Sequence, residues 1–276
     1  MAETPFRLAK QPSLPEGAVK EVRALSRGLR VLEILTDSPL GLPLSRIAEQ
    51  SGLSKSSAHR LLQTLVQNGY LSQKQESGQY FPSLKVLTLS HKLIEDTDLR
   101  AVSHPHLEAL AETSGETAHL VLLDHDSMIY VDKVESSSPI RMYSRIGRSA
   151  PAHCTGVGKV ILAHLPADRR ENLLGDEVLA RYTQKTITDR VGLEENLAEI
   201  RRRGFAVDDG EHEESVRCLA SPLFGAEGRI VGAMSIAAVS YRVSLPTLLS
   251  WWPVLREHTA QLRAELVHYF DRYSER

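Results

Sequence analysis

Residues 54–69 of the chain read SKSSAHRLLQTLVQNG, and this stretch predicts an α-helix with two different faces. Apolar residues recur at the i, i+3, i+4, i+7 spacing that forms one stripe of a helix. They are Ala58, Leu61, Leu62 and Leu65. The other face carries hydrogen-bond donors and acceptors and no acidic group: Lys55, Ser56, His59, Arg60, Gln63 and Thr64.

The flanking sequence predicts the setting of this helix. Residues 44–50 predict a short preceding helix, and Gly52 can adopt the left-handed conformation that ends it. Residues 70–81 predict a two-stranded hairpin with Gly78 in its turn. Two helices followed by a hairpin form a winged helix-turn-helix. Its second helix would pack through the apolar face and present donors to the major groove of DNA.

The candidate DNA contacts follow from this arrangement. Ser54 can cap the helix, and the serines at its N-terminus can bind a phosphate. Arg60 is the candidate for bidentate recognition of guanine, and Lys74 on the wing for the DNA backbone. The candidates are Arg27, Ser54, Lys55, Ser56, Ser57, His59, Arg60, Thr64 and Lys74. One such module reads too little sequence alone, so we expect the chain to bind double-stranded operator DNA as a homodimer. The alternative is a solvated helix face in an enzyme.

Charge is distributed unevenly along the chain. The net charge is −2, yet residues 20–90 hold nine Lys/Arg against five Asp/Glu, and residues 91–276 hold 22 against 28. A basic N-terminal module beside a larger acidic one is expected when only the first meets phosphate. Chance scatter remains an alternative, because an excess of four is small.

The length of 276 residues suits two domains. We expect a flexible tail over residues 1–19, the winged helix-turn-helix over 20–82, a linker helix over 83–100 and an α+β domain over 101–276. The last domain should contain a mostly antiparallel sheet, with residues 140–146 as its third strand. One long helix is expected from Pro246 to Phe270.

Composition predicts a cytoplasmic protein. No apolar run approaches the roughly 20 residues needed to cross a bilayer, and no secretion signal opens the sequence. Cys154 and Cys218 cannot form a disulfide framework and show no metal-ligand spacing, so neither a metal nor a cofactor is expected.

Motifs from both halves resemble those of IclR-type transcriptional regulators. In the N-terminal half these are SRGL at 26–29 and SKSSAHRLL at 54–62. In the C-terminal half they are RMYSRIGR at 141–148, CTGVGK at 154–159, DDGEHE at 208–213 and RCLA at 217–220. The resemblance covers about residues 22–270. It implies a winged helix-turn-helix joined by a linker helix to a GAF-like effector-binding domain, with small carboxylic acids altering operator binding. Residues 141–148 look most similar to the KdgR-like branch, which senses sugar acids such as 2-keto-3-deoxygluconate.

The resemblance also implies an effector site. Met142 and Ala150 match apolar lining positions, and Gly156 and Val157 match a pair whose backbone N–H groups face the ligand. Asp208, Cys218 and Ser235 match polar side chains of the site, whereas Ala237 stands where the family usually has serine. Thr155 can cap the helix starting at Gly156, and free N–H groups at a helix start bind carboxylates. Two alternatives stay open: Cys218 could fill the core, and Asp208 could cap a turn.

We therefore expect a repressor of a carbohydrate or sugar-acid operon rather than an enzyme. The alternative within the family is an activator of aromatic or other organic-acid catabolism. GVGK at 156–159 is partly similar to a phosphate loop, but His153 and Val160 occupy positions that the motif requires to be Gly and Ser/Thr. A cysteine-dependent hydrolase or transferase using Cys154 or Cys218, and an architectural DNA-binding protein, are weaker alternatives.

Overall fold

A computed structural model describes residues 22–38, 40–95, 99–136, 144–175 and 178–266. The predicted tail lies outside these ranges. The chain separates into two compact units whose boundary falls between residues 97 and 98. Residues 83–100, where the linker helix is expected, contain one helix and the first residues of the next.

The first unit is helical with a small hairpin. Its elements are α1 (Arg23–Thr36), α2 (Leu44–Ser51), α3 (Lys55–Gln67), β1 (Leu71–Gln73), β2 (Tyr80–Pro82) and α4 (Leu84–Glu95). Gly52 ends α2 with φ of 66°, and the hairpin β1–β2 is antiparallel. Ile47 of α2, Leu62 of α3 and Tyr80 of β2 meet in a common core with α1. The predicted winged helix-turn-helix is confirmed.

The second unit surrounds a five-stranded sheet. Its elements are α5 (Leu99–Ser114), β3 (Thr117–Asp124), β4 (Ser127–Val134), α6 (Gly156–His164), α7 (Ala167–Leu174), α8 (Arg190–Arg203), β5 (Ala206–Asp209), β6 (Val216–Phe224), β7 (Ile230–Val239), α9 (Leu245–Ser250) and α10 (Trp252–Glu265). The strand order is β4-β3-β7-β6-β5, and every neighbouring pair is antiparallel. The α+β fold class is confirmed.

Each face of this sheet supports its own core. Side chains alternate across a strand, so Leu120 and Val121 point to opposite faces. Val121 and Ala220 pack in the cluster that contains the buried side of α6, and α8 packs on α6. Leu120 and Leu219 pack in the cluster of α5 and α10. The sheet is thus covered by helices on both faces.

Two predicted elements differ from the structure. The predicted helix 246–270 is described as far as residue 266, and that part is two helices. Helix α9 ends at Ser250, and α10 starts at Trp252 with Pro253, which has no N–H, in its first turn. Of the strand expected over 140–146, residues 140–143 lie outside the described ranges, and residues 144–146 form no strand. Among the described residues, no helix has the length and apolar character needed to span a membrane.

Candidate DNA-binding surface and effector site

The N-terminus of α3 carries three serine hydroxyls in one cluster. Ser54 caps the helix by accepting a hydrogen bond from the N–H of Ser57 at 3.2 Å. Its oxygen also lies 3.0 Å from the hydroxyl of Ser56 and 3.0 Å from that of Ser57. The first N–H groups of a helix have no partner within the helix. Hydroxyls and N–H groups together therefore suit a phosphate at this end of α3.

The exposed face of α3 holds the candidate base-reading side chains. Lys55, His59, Arg60 and Thr64 are exposed, whereas Ala58 and Leu62 are fully buried. Within the described ranges, the side chains of Lys55, His59 and Arg60 form no hydrogen bond or ion pair. The Thr64 hydroxyl donates to the Arg60 carbonyl at 3.0 Å. This surface is cationic and available for an external acceptor.

The other two candidates lie on different elements. Arg27 is exposed on α1, and Lys74 is exposed directly after β1 in the wing. The Lys74 N–H donates to the Gln79 carbonyl at 2.9 Å. This bond fixes the backbone of the wing, and the Lys74 side chain is exposed to solvent.

The polar candidates of the second unit share one face of the sheet. Asp208 pairs in register with Cys218, and Ala220 pairs with Ser235. By strand alternation, Asp208, Cys218 and Ser235 lie on the face covered by α6. All three are buried. The structure thus brings together polar side chains from three strands, β5, β6 and β7, on the sheet face that α6 covers.

Gly156 begins α6 directly against this group. A methyl group at position 156 would lie 3.0 Å from the Cys218 sulphur and 3.4 Å from the Ala220 β-carbon. The Gly156 N–H and the Ser235 hydroxyl both act to lower the pKa of the Cys218 thiol, although burial raises that pKa by more. Thr155 caps α6 by accepting from the Gly158 N–H at 3.0 Å. The Val157 N–H lies in the first turn, where the helix supplies no partner.

Asp208 also closes a turn. Its Oδ1 accepts a hydrogen bond from the Glu211 N–H at 2.6 Å, and the His212 N–H interacts with the same carboxylate. Burial raises the pKa of Asp208 to about 7 despite these donors. A carboxyl group that is partly protonated at neutral pH can both donate and accept.

The apolar candidates for the effector site say less about its ligand than the polar ones do. Ala150 and Val157 are buried in the core cluster on the α6 face. Met142 lies outside the described residues. Ala237, where the family usually has serine, pairs with Thr117 and with Cys218, so the missing hydroxyl falls beside the polar group.

Sequence reasoning missed His119 and Tyr130. His119 lies opposite Ser235 in the sheet, and its Nε2 is 2.8 Å from the Ser144 hydroxyl. Burial, followed by the charge of Lys133, lowers its pKa to about 3, so the ring is neutral. The Tyr130 ring contacts it edge-on with centroids 5.3 Å apart. One histidine within the apolar run 117–123 was the available signal.

Sequence reasoning also missed the pairing of Lys159 with Glu211. Lys159 is fully buried in α6, and its Nζ forms an ion pair with Glu211 Oε1. Burial raises the pKa of Glu211 even beside this cation. A single lysine in the otherwise apolar helix 156–163 was the only sequence signal.

Neither cysteine is suited to nucleophilic chemistry. Burial raises the pKa of Cys218 to about 12 and raises that of Cys154 as well. Both are therefore thiols, and the thiolate is the nucleophile. This counts against the cysteine-dependent enzyme considered above. Among the described residues, no cluster of His, Cys, Asp and Glu could hold a metal ion.

The chain combines a winged helix-turn-helix, whose cationic helix is exposed, with a second unit that has a buried polar site. This combination defines a DNA-binding transcriptional regulator. Residues 24–75 match the IclR helix-turn-helix domain, and residues 91–263 match the C-terminal domain of bacterial IclR regulators. The chain belongs to the IclR family of bacterial transcriptional regulators.

Relatives support this assignment over most of the chain. The transcriptional repressor IclR of Escherichia coli (strain K12) is 34% identical over 248 residues, which cover 88% of this chain and 90% of that protein. The regulator KdgR of the same strain is 32% identical over 254 residues, covering 91% and 96%.

Solved structures agree with the fold. The IclR of Thermotoga maritima is 30% identical, has a TM-score of 0.69 and covers 89% of this chain and 99% of that chain. An IclR homologue from Microbacterium hydrocarbonoxydans in complex with 4-hydroxybenzoate is 25% identical, with a TM-score of 0.75 and coverages of 88% and 98%. These relatives are regulators, in agreement with the prediction that the chain is not an enzyme.

Proposed function

We propose that the chain is a repressor of a carbohydrate or sugar-acid catabolic operon, and that a small carboxylic acid modulates its affinity for operator DNA. This proposal rests on one observation: α6 begins against the sheet face that carries Asp208, Cys218 and Ser235. The winged helix-turn-helix would bind the operator, and the polar site would bind the effector.

The start of α6 suits a carboxylate. The helix dipole and the unpaired Val157 N–H favour an anion there, and Gly156 leaves the backbone accessible. Neutral hydrogen-bonding groups surround this point: the Cys218 thiol, the Ser235 hydroxyl and the neutral ring of His119. The cation of Lys159 acts on Asp208 and Cys218 but is already paired with Glu211, so the start of α6 supplies the positive end for the acid.

Several hydroxyl partners favour a sugar acid over a plain aliphatic acid. Asp208 and Ser235 are buried and can exchange hydrogen bonds with ligand hydroxyls. A buried polar group left unpaired costs ~1–3 kcal/mol, so such a site discriminates against ligands that lack a hydroxyl. The resemblance of residues 141–148 to the KdgR-like branch supports this effector class. The 4-hydroxybenzoate complex of the Microbacterium homologue supports the alternative of an aromatic acid.

We further propose that the regulator works in the cytoplasm as a homodimer or a dimer of dimers. Leu25 and Leu29 of α1 are 62% and 53% exposed, and Leu84 of α4 is 79% exposed. A second copy that covers these leucines would pair two recognition helices on one operator. Effector binding would shift the population of dimer geometries, with a coupling of ~1–3 kcal/mol, or about 5- to 150-fold in operator affinity.

A thermal-shift panel tests the effector class. We expect keto-deoxy sugar acids to raise the melting temperature of the full-length protein, and Asp208→Ala to abolish the shift without loss of DNA binding. Ser72→Ala, which removes an exposed hydroxyl from the wing, is the matched control. A shift with 4-hydroxybenzoate alone would replace the sugar-acid assignment by the aromatic one. An Asp208→Ala protein that responds at the wild-type concentration would remove Asp208 from the site.

A further inference from the structure

A second polar cleft lies in the larger unit, away from the residues assigned above. It has a volume of about 380 Å³ and is bounded by the end of α8, by β6 and by α10. Strand β5 pairs with residues 217–220 of β6, and within the described ranges residues 221–224 have no partner strand on that side. The cleft follows this uncovered part of β6.

Five arginines line the cleft, and none of the other described residues that line it is acidic. The five arginines are Arg201, Arg202, Arg203, Arg256 and Arg263. This concentration of positive charge contrasts with the excess of acidic residues over residues 91–276 as a whole. A cluster of like charges costs free energy unless a counter-charge is bound.

Three of the arginines have partners in the protein. Arg202 pairs with Glu199. Arg201 Nη1 donates to the Ala163 carbonyl at 2.9 Å, and Arg203 Nε donates to the Phe205 carbonyl at 2.7 Å. Carbonyl partners orient Arg201 and Arg203, and the carboxylates of Glu199 and Glu211 act on the charge of Arg203.

The two arginines of α10 differ from the other three. Arg256 and Arg263 are exposed and lie seven residues apart, on one face of the helix. Within the described part of the chain, neither forms a hydrogen bond or an ion pair. Their guanidinium groups are therefore available to a ligand.

Helix dipoles do not explain the whole cluster. Arg201–Arg203 end α8 and Arg263 lies in the last turn of α10, where positive charge is favourable. Arg256, however, lies just after the first turn of α10, at the end of the helix that favours negative charge. A bound anion accounts for Arg256 as well as for the others.

The cleft also has an aromatic wall. Trp252 and Phe224 line it, and the Trp252 ring packs against Phe205 with centroids 4.9 Å apart. The volume falls within the range of about 300–1,000 Å³ that is typical of small-molecule sites. Guanidinium groups bind phosphate oxygens in a bidentate manner, and their number here favours a ligand with at least two negative charges.

We propose that this cleft binds a small organic phosphate. Its phosphoryl group contacts Arg256 and Arg263, with Arg201 and Arg203 completing the positive side, and its organic part contacts Trp252. The ligand is a phosphorylated metabolite, which gives this regulator a second input distinct from the carboxylate site.

Tryptophan fluorescence provides the test, since Trp251 and Trp252 are the only tryptophans of the chain. Full-length protein is titrated with pyrophosphate and, separately, with ADP, at ionic strength held constant with sodium chloride. The variants are Arg256→Ala/Arg263→Ala and the control Arg169→Ala/Arg229→Ala, which removes two exposed arginines that do not line the cleft.

Both probes should bind wild type and the control variant saturably, and the Arg256→Ala/Arg263→Ala protein about tenfold or more weakly. ADP should bind more tightly than pyrophosphate, because its organic part reaches the aromatic wall. Asp208→Ala should bind both probes as wild type does. Equal affinity in the two double variants, or no saturation beyond the chloride control, would overturn the proposal. One further result would overturn the proposal. If neither probe saturates the wild type, and Arg256→Ala/Arg263→Ala loses duplex DNA binding or self-association, then the cleft contacts a macromolecule.

Discussion

Gly156 of α6 and Cys218 of β6 are so close that a methyl group on Gly156 would lie 3.0 Å from the Cys218 sulphur. Few real contacts of a β-carbon are that short. The absence of a side chain at position 156 therefore allows the start of α6 to approach the polar face of the sheet. The proposed effector site depends on this approach.

Gly156→Ala should abolish the effector response while the protein still folds. The methyl group would occupy the space beside the backbone N–H groups, and the strain should cost ~1–3 kcal/mol of unfolding free energy. Denaturant unfolding and the effector-induced thermal shift measure the two effects. Gly28→Ala, in the helix-turn-helix unit, is the matched control. Of the described residues, its methyl group would meet Leu61 of the same unit at 4.0 Å. A Gly156→Ala protein with the wild-type response would place the effector elsewhere.

Lys159→Met should destabilise the protein more than the loss of one ordinary ion pair. The fully buried Lys159 pairs with Glu211, and its removal leaves a mostly buried carboxylate without its cation, at a cost of ~3–5 kcal/mol. The double variant Lys159→Met/Glu211→Gln should regain most of this loss, because no charge then stays unpaired. Denaturant unfolding of the wild type, of Lys159→Met and Glu211→Gln alone, and of the double variant measures the coupling. Additive losses would show that the pair does not act as a unit.

Asp208 should make stability depend on pH with a defined sign. Its pKa is raised by burial from 3.8 to about 7 in the folded protein. The folded state then binds the proton more tightly than the unfolded state, so this group stabilises the fold below pH ~4, and that contribution is lost as the pH rises through about 7. The difference in unfolding free energy, wild type minus Asp208→Asn, should decrease as the pH rises from about 4 to about 7 and should stay constant above that range. A difference that grows with pH would contradict the raised pKa.

Local patterns were enough to predict the first unit. The spacing of Ala58, Leu61, Leu62 and Leu65 fixed the buried face of α3, and Ser54 caps that helix as expected. The order of strands, then helices, then further strands likewise predicted a mostly antiparallel sheet. These features depend on neighbours within a few residues, which a sequence displays directly.

The missed features depend on long-range contacts. Lys159 and Glu211 are 52 residues apart, and only the packing of α6 on the sheet brings them together. His119 and Ser235 meet through the pairing of β3 with β7. The break between α9 and α10 is a local feature. Proline is tolerated in the first turn of a helix, so Pro253 marks the start of α10 but did not by itself show where α9 ends.

Titration of fluorescent operator DNA with full-length protein tests the central claim most directly. The duplex carries the intergenic DNA beside the chain's own gene, and the comparison is wild type against Arg60→Ala, with Arg169→Ala as control. We expect saturable, sequence-specific binding that weakens by about tenfold or more in Arg60→Ala, because a bidentate base contact contributes ~1–3 kcal/mol. Thermal stability should not change, since Arg60 is exposed. Equal affinity of Arg60→Ala and wild type, or no duplex binding at low salt, would contradict the account.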